Sequence, residues 1–280
     1  MHPPIRAVLA ALLLLVAVPA SAQSFYNPIV SAGQDPSIAQ YNGYYYLTQS
    51  TGLSIEVTKS RTLTGLASGT KVTVWTRPST TGPLCCNVWA PELLLLNGRF
   101  YIYFTADDGN NDNHRMYVLE STTQDPQGSY VYKGKITPPT DRWGIDGTVL
   151  QLGTSLYYLW SGWDGFTNVQ QNIYIAPMSN PYTVSGERVL ISAPLNRWER
   201  VGGPPYVNEG PQVLRRNGKV LTVLRLAKAS LTFAGGIDYL AWKINRHAGT
   251  RIEIKPWQRR WPLLGAVTLL PRLLRAGAIR

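Results

Sequence analysis

Three observations predict an all-β fold of the β-propeller type: the composition, a recurrent hairpin, and a fixed order of strands around that hairpin. The 280-residue chain holds 25 Gly, 20 Pro, 16 Tyr and 9 Trp, with 15% charged residues. This usage suits many short strands joined by turns better than a helix bundle, and it excludes disorder for most of the length. Size permits one large β domain or two small ones, so the pattern must decide.

The hairpin first appears at Asp35-Pro36-Ser37-Ile38, running through the Asn42-Gly43 turn into the aromatic strand Tyr44-Tyr45-Tyr46-Leu47. An Asn-Gly pair between alternating apolar runs is a strong short-range hairpin signal. The same order recurs from Ala90 through Asn97-Gly98 to Phe104, from Asp146 through Gly153 to Leu159, and from Glu209 through Asn217-Gly218 to Val220. Pro36, Pro91, Gly147 and Pro211 stand at steps of 55, 56 and 64 residues.

Third strands follow at Ile55–Ser60, His114–Ser121 and Asn172–Met178, and fourth strands are expected around Val72–Trp75, Tyr130–Ile136 and Arg188–Ser192. Four strands per period indicate propeller blades, which bury their faces only against one another. A β-sandwich explains the turns but not the shared strand order. About three and a half blades are recognisable in the chain.

Charge divides the chain. Residues 1–210 hold 13 Lys/Arg and 14 Asp/Glu, whereas residues 211–280 hold 14 and 2, so the net charge of +11 lies wholly in the last quarter. It therefore says nothing of an acidic partner for the blades. At the other end, Arg6, the apolar run Ala7–Val18 and Ala20-Ser21-Ala22 read as a secretory signal peptide over residues 1–22. The run is shorter than the roughly 20 residues a bilayer span needs. A secreted, extracellular product with no membrane anchor after cleavage is expected. The two cysteines, Cys85 and Cys86, are neighbours; in an oxidising compartment they form a vicinal disulfide or remain two buried thiols.

Chemistry enters at the strand heads. The first strand of a blade lines the central channel, so Asp35, Asp146 and Glu209, at equivalent positions in blades one, three and four, converge on one pocket, with Glu92 slightly offset in blade two. Convergent carboxylates in a Trp/Tyr-rich funnel are what glycosidic hydrolysis requires: an acid protonates the departing oxygen and a carboxylate activates water. A third carboxylate holds the acid's pKa up through like-charge repulsion.

The segments Asp35-Pro36-Ser37-Ile38, Trp89-Ala90-Pro91-Glu92, Ile145-Asp146-Gly147 and Asn208-Glu209-Gly210-Pro211 resemble the signatures of glycoside hydrolase family 43, the five-bladed propeller glycosidases, over roughly Phe25 to Val220. The resemblance implies inverting hydrolysis of arabinose- or xylose-containing plant polysaccharides. It makes Asp35 the general base, Glu209 the general acid and Asp146 the residue that modulates and orients that acid. Asn110–Tyr117 and Trp160–Gly165 are most similar to an α-L-arabinofuranosidase-like branch, ahead of β-xylosidase and endo-arabinanase; a carbohydrate-binding propeller without turnover is the alternative class. Trp89 and Trp163 are candidates for stacking on a sugar ring, and His114 and Glu92 for contacts to substrate. No cofactor is required. Some family members hold a metal ion at the axis, and this sequence shows no residues for it. The expected partner is a polysaccharide or oligosaccharide, not nucleic acid, and the expected state is a monomer.

The resemblance covers the propeller domain, residues 23–224, and lapses in the tail, residues 225–280. The tail holds 11 Lys/Arg and 2 Asp/Glu and has no blade period. It is read as the product of a wrong reading frame or misjudged splice site, ahead of a polyanion-binding arm or a membrane-docking end. A ring missing its last blade and a half has exposed edges and an incomplete core, so the chain as written is expected to be unstable or inactive.

Overall fold

The computed structural model describes residues 28–31, 33–200, 202–216, 219–227, 240–241 and 266–269. The signal segment 1–22, the Asn217-Gly218 turn and most of the tail lie outside the described residues. The described chain is all-β apart from short 3-10 turns.

Its strands form successive antiparallel meanders. The first unit is β1 (Ser37–Tyr41), β2 (Tyr44–Ser50), β3 (Ser54–Ser60) and β4 (Thr70–Thr76), hydrogen-bonded in that order. The second is β5 (Cys86–Leu96), β6 (Arg99–Asp107), β7 (Arg115–Ser121) and β8 (Tyr130–Ile136). The third is β9 (Gly144–Leu152), β10 (Ser155–Trp163) and β11 (Gln170–Asn180), with β12 (Thr183–Val184) and β13 (Val189–Ser192) both pairing β11. In the fourth, β14 (Tyr206–Arg216) pairs β15 (Lys219–Ala227), which β16 (Leu240–Ala241) and β17 (Ala266–Leu269) flank. Parallel pairing of Gln170 with Tyr206 and Gln171 with Val207 joins the third unit to the fourth.

Local chemistry accounts for the hairpins. Asn42-Gly43 and Asn97-Gly98 have φ of 47° and 76°, and of 50° and 80°. Positive φ at both central residues makes the tight turn whose twist matches that of the strands. Gly153 opens the third hairpin at φ 60°.

Period-two alternation stacks the units. Along β6, Phe100, Ile102 and Phe104 pack with Tyr46, Ile55 and Val57 of the first unit, while Tyr101 and Tyr103 face the third. Along β10, Tyr158 and Trp160 face the second unit and Leu159 packs with Ile173, Ile175 and Leu224. Middle strands buried on both faces therefore read as unbroken apolar-aromatic runs. Each fully buried aromatic contributes about 2–3 kcal/mol of hydrophobic stabilisation. The innermost strands also meet: β5 contacts β1 and β9, and β9 contacts β14. This brings four strand heads to one end of the stack. The cysteines form a disulfide, Cys85 to Cys86, at the entry to β5.

Candidate active site

One backbone feature recurs at the four strand heads. Asp35, Ala90, Asp146 and Gly210 all have positive φ, at 47°, 44°, 56° and 58°. Glycine adopts this left-handed conformation freely and aspartate tolerates it. Ala90 has neither property, so the fold imposes its geometry at a cost of about 1–2 kcal/mol.

At three of the heads the left-handed residue sits inside a β-bulge. Trp89 pairs Thr105 but Glu92 pairs Tyr103; Ile145 pairs Ser161 but Thr148 pairs Leu159; Glu209 pairs Arg225 but Gln212 pairs Val223. Each inner strand thus carries one extra residue, which bends it and re-aims its side chains. This corrects the expected register. Asp35 and Asp146 are equivalent, but the fourth unit has Gly210 at that position, and Glu209 precedes it as Trp89 precedes Ala90.

The third and fourth units lock around Glu209. Asp146 and Glu209 are each 9% exposed, and the Gly210 N–H donates to Asp146 Oδ2 at 2.8 Å. On the other side, the Ser161 hydroxyl donates to the Asn208 carbonyl at 2.9 Å, and Asn208 Nδ2 donates to Ser192 Oγ at 3.1 Å. Glu209 therefore projects from a peptide fixed before and after it. Beneath Asp146, Gly147 has no room for a side chain: a Cβ there would lie 1.7 Å from the Tyr158 hydroxyl. Burial, then the charges of Asp146 and Glu92, raise the Tyr158 hydroxyl well above its ordinary pKa.

Asp35 lines a pocket of about 430 Å³ with Gln49, Glu56, Lys71, Trp89 and Ala90. The lining does not include Asp146, Glu209, His114 or Trp163. Glu92 has both carboxyl oxygens engaged: Ser37 Oγ donates to Oε2 at 3.1 Å and Gln212 Nε2 donates to Oε1. Burial pushes this carboxyl up to about 7; the two hydrogen bonds oppose the rise and the charge of Asp35 adds to it.

His114 and Trp163 lie inside the protein. His114 and its neighbour Asp107 are fully buried, with His114 Nδ1 2.9 Å from Asp107 Oδ2 and Nε2 3.1 Å from the Asn87 carbonyl. Asn87 Nδ2 and the Gly109 N–H donate to the same carboxylate. Burial holds the imidazole below the ordinary histidine range, against the pull of Asp107. The ring backs Trp89, stacked with centroids 4.1 Å apart. Trp163 is 2% exposed and stacks on Trp143 at 4.9 Å.

Sequence reasoning missed Ser37, Gln212, Tyr158, Asp107 and Trp143. The first two carried a signal, since they stand one residue past aligned Pro36 and Pro211, as Glu92 does past Pro91. Asp107 carried none, because its partner His114 lies beyond an intervening loop, just before β7. Among the described residues no group of three or more His, Cys, Asp or Glu side chains is arranged to hold a metal ion.

Comparison with known proteins follows the same lines. The chain is 34% identical over 244 residues to an extracellular exo-α-(1→5)-L-arabinofuranosidase of Streptomyces avermitilis, covering 82% of this chain and 50% of that protein. It is 31% identical over 236 residues to α-L-arabinofuranosidase 43 of Humicola insolens, covering 82% and 48%. The chain thus spans about half the length of these curated relatives. The crystal structure of an α-L-arabinofuranosidase from Lactobacillus brevis superposes with a TM-score of 0.67 at 34% identity, over 72% of this chain and 66% of that one. The sequence profile described as Glycosyl hydrolases family 43 matches residues 25–232. With three-quarters of its length in that pattern, the chain belongs to glycosyl hydrolases family 43.

Proposed function

We propose that the protein is a secreted, inverting α-L-arabinofuranosidase acting on arabinose-bearing polysaccharide or oligosaccharide. Asp35 serves as general base, Glu209 as general acid, and Asp146 as the carboxylate that positions and tunes that acid. The observation that carries this reading is the bond from the Gly210 N–H to Asp146 Oδ2, which fixes one acid beside the peptide of another. Arabinofuranosidase-named relatives support the sugar. In this reading the four units are successive blades of a five-bladed propeller, and the acids stand at its funnel mouth. Trp89, half-buried and lining the pocket with Asp35, offers a face to the sugar; His114 acts through Trp89, and Trp163 through Trp143. The protein works as a monomer without a cofactor.

Inversion needs room for water between base and sugar, so the Asp35 and Glu209 carboxyls stand roughly 6.5–9.5 Å apart in the substrate complex. The deciding experiment is proton NMR of the full chain acting on arabino-oligosaccharide. Initial release of β-arabinose from the α-linked substrate supports the reading, and α-arabinose counts against inversion. A chain that melts cooperatively yet releases no arabinose sinks the hydrolase assignment. Turnover with residues 225–280 in place overturns the view of that tail as disabling.

A further inference from the structure

A second set of equivalent positions follows the four strand heads. Two residues past each left-handed head stand Ser37, Glu92, Thr148 and Gln212. Glu92 and Gln212 are the long side chains of this set, and they meet. We propose that Glu92 is a positioning residue whose carboxylate, holding Ser37 of the first unit and Gln212 of the fourth, sets the separation between Asp35 and Glu209. The inference rests on the hydrolase reading and deepens it.

The geometry runs through short, stiff paths. Ser37 is two residues from Asp35, is 7% exposed, and is fixed twice to β5: its hydroxyl donates to Glu92 and accepts from the Leu93 N–H at 3.3 Å. Gln212 is three residues from Glu209, across the bulge that contains Gly210. One carboxylate therefore ties the strand heads bearing both reacting acids to the unit between them. Two donors on two oxygens match an ionised carboxylate, because a protonated one turns one acceptor into a donor. The titratable groups felt around it are Asp35 at the head of β1 and Tyr158 of β10, with Asp146 of β9 sharing Tyr158; Ser37 and Gln212 are neutral. Protonation of Glu92 releases one donor and lets the two heads drift, and angstrom-scale drift of catalytic groups costs rate rather than ground-state affinity.

The test compares the full-length wild type with Glu92→Gln and Glu92→Ala on para-nitrophenyl α-L-arabinofuranoside, from about pH 4 to about pH 9. The amide of Glu92→Gln accepts from Gln212 and donates to Ser37. It keeps kcat within about threefold and moves the acid-side inflection of kcat down by at least about half a unit. Glu92→Ala loses at least about tenfold in kcat with KM within about twofold. Superimposable wild-type and Glu92→Gln pH profiles, or undiminished kcat in Glu92→Ala, overturn the proposal. A wild type that releases no nitrophenol overturns the hydrolase reading instead. The clamp is then decided by carbon NMR of the Glu92 carboxyl in the wild type and in Gln212→Ala: an inflection that moves up in the variant supports it, and an unchanged one overturns it. The same NMR measurement decides if Glu92→Ala fails to fold.

Discussion

Asp146 Oδ2 accepts the Gly210 N–H at 2.8 Å, so the side chain of one acid holds the peptide that follows another. A buried carboxylate that accepts a backbone donor is both oriented and stabilised in its charged form. Three measurements on charged groups and one on packing follow from such contacts.

Asp146→Asn keeps an oxygen for the Gly210 N–H and a side chain that tolerates φ of 56°, but removes the charge. We expect kcat to fall about 100-fold or more, the alkaline limb of the pH–rate profile to move to lower pH, and stability to change by less than about 1 kcal/mol. A variant that retains full kcat denies Asp146 its assigned part.

Glu92 also links stability to pH. Its folded pKa, about 7, lies above the ordinary glutamate value, so the folded state binds the proton more tightly. Its favourable contribution is complete below the unfolded pKa and is lost as pH rises through about 7. Glu92→Gln does not titrate, so between about pH 4 and about pH 8 it gains on the wild type by at most about 3 kcal/mol. Urea denaturation of both proteins at the two pH values measures the difference; parallel curves would contradict the raised carboxyl.

His114→Ala leaves the fully buried Asp107 without its imidazole neighbour and removes the support behind Trp89. A loss of about 3 kcal/mol is expected from the lost partner of the buried carboxylate and the cavity. KM should rise more than kcat falls, because the sugar-facing indole loosens while the acids stay in place. Equal stability of variant and wild type in denaturant titration would sink this.

Gly147→Ala places a methyl 1.7 Å from the hydroxyl of the fully buried Tyr158, which has nowhere to swing. Overpacking of about 3 kcal/mol is expected, with kcat reduced because Asp146 is the adjacent residue. A melting temperature equal to that of the wild type would show that Tyr158 yields.

Much of the architecture was legible because it is written locally. Asn42-Gly43 and Asn97-Gly98 specify their turns by the φ they allow, and the fourth strands expected near Val72, Tyr130 and Arg188 lie at β4, β8 and β13. The strand heads were legible for the same reason, since Pro36, Pro91, Gly147 and Pro211 recur with the period.

What sequence alone determined is the all-β meander, its repeat and the places of its strand heads, because these follow from turn chemistry and alternation within some fifteen neighbouring residues. Tertiary structure decided the rest. The bulges at Ala90, Asp146 and Gly210 arise between paired strands and re-aim the side chains beside them. Pairing across long separations drew Glu92 to Ser37 and Gln212, 55 and 120 residues away. Such contacts depend on which strand heads meet in space, and hydrogen-bond partners from different units leave no mark on the local pattern of either segment.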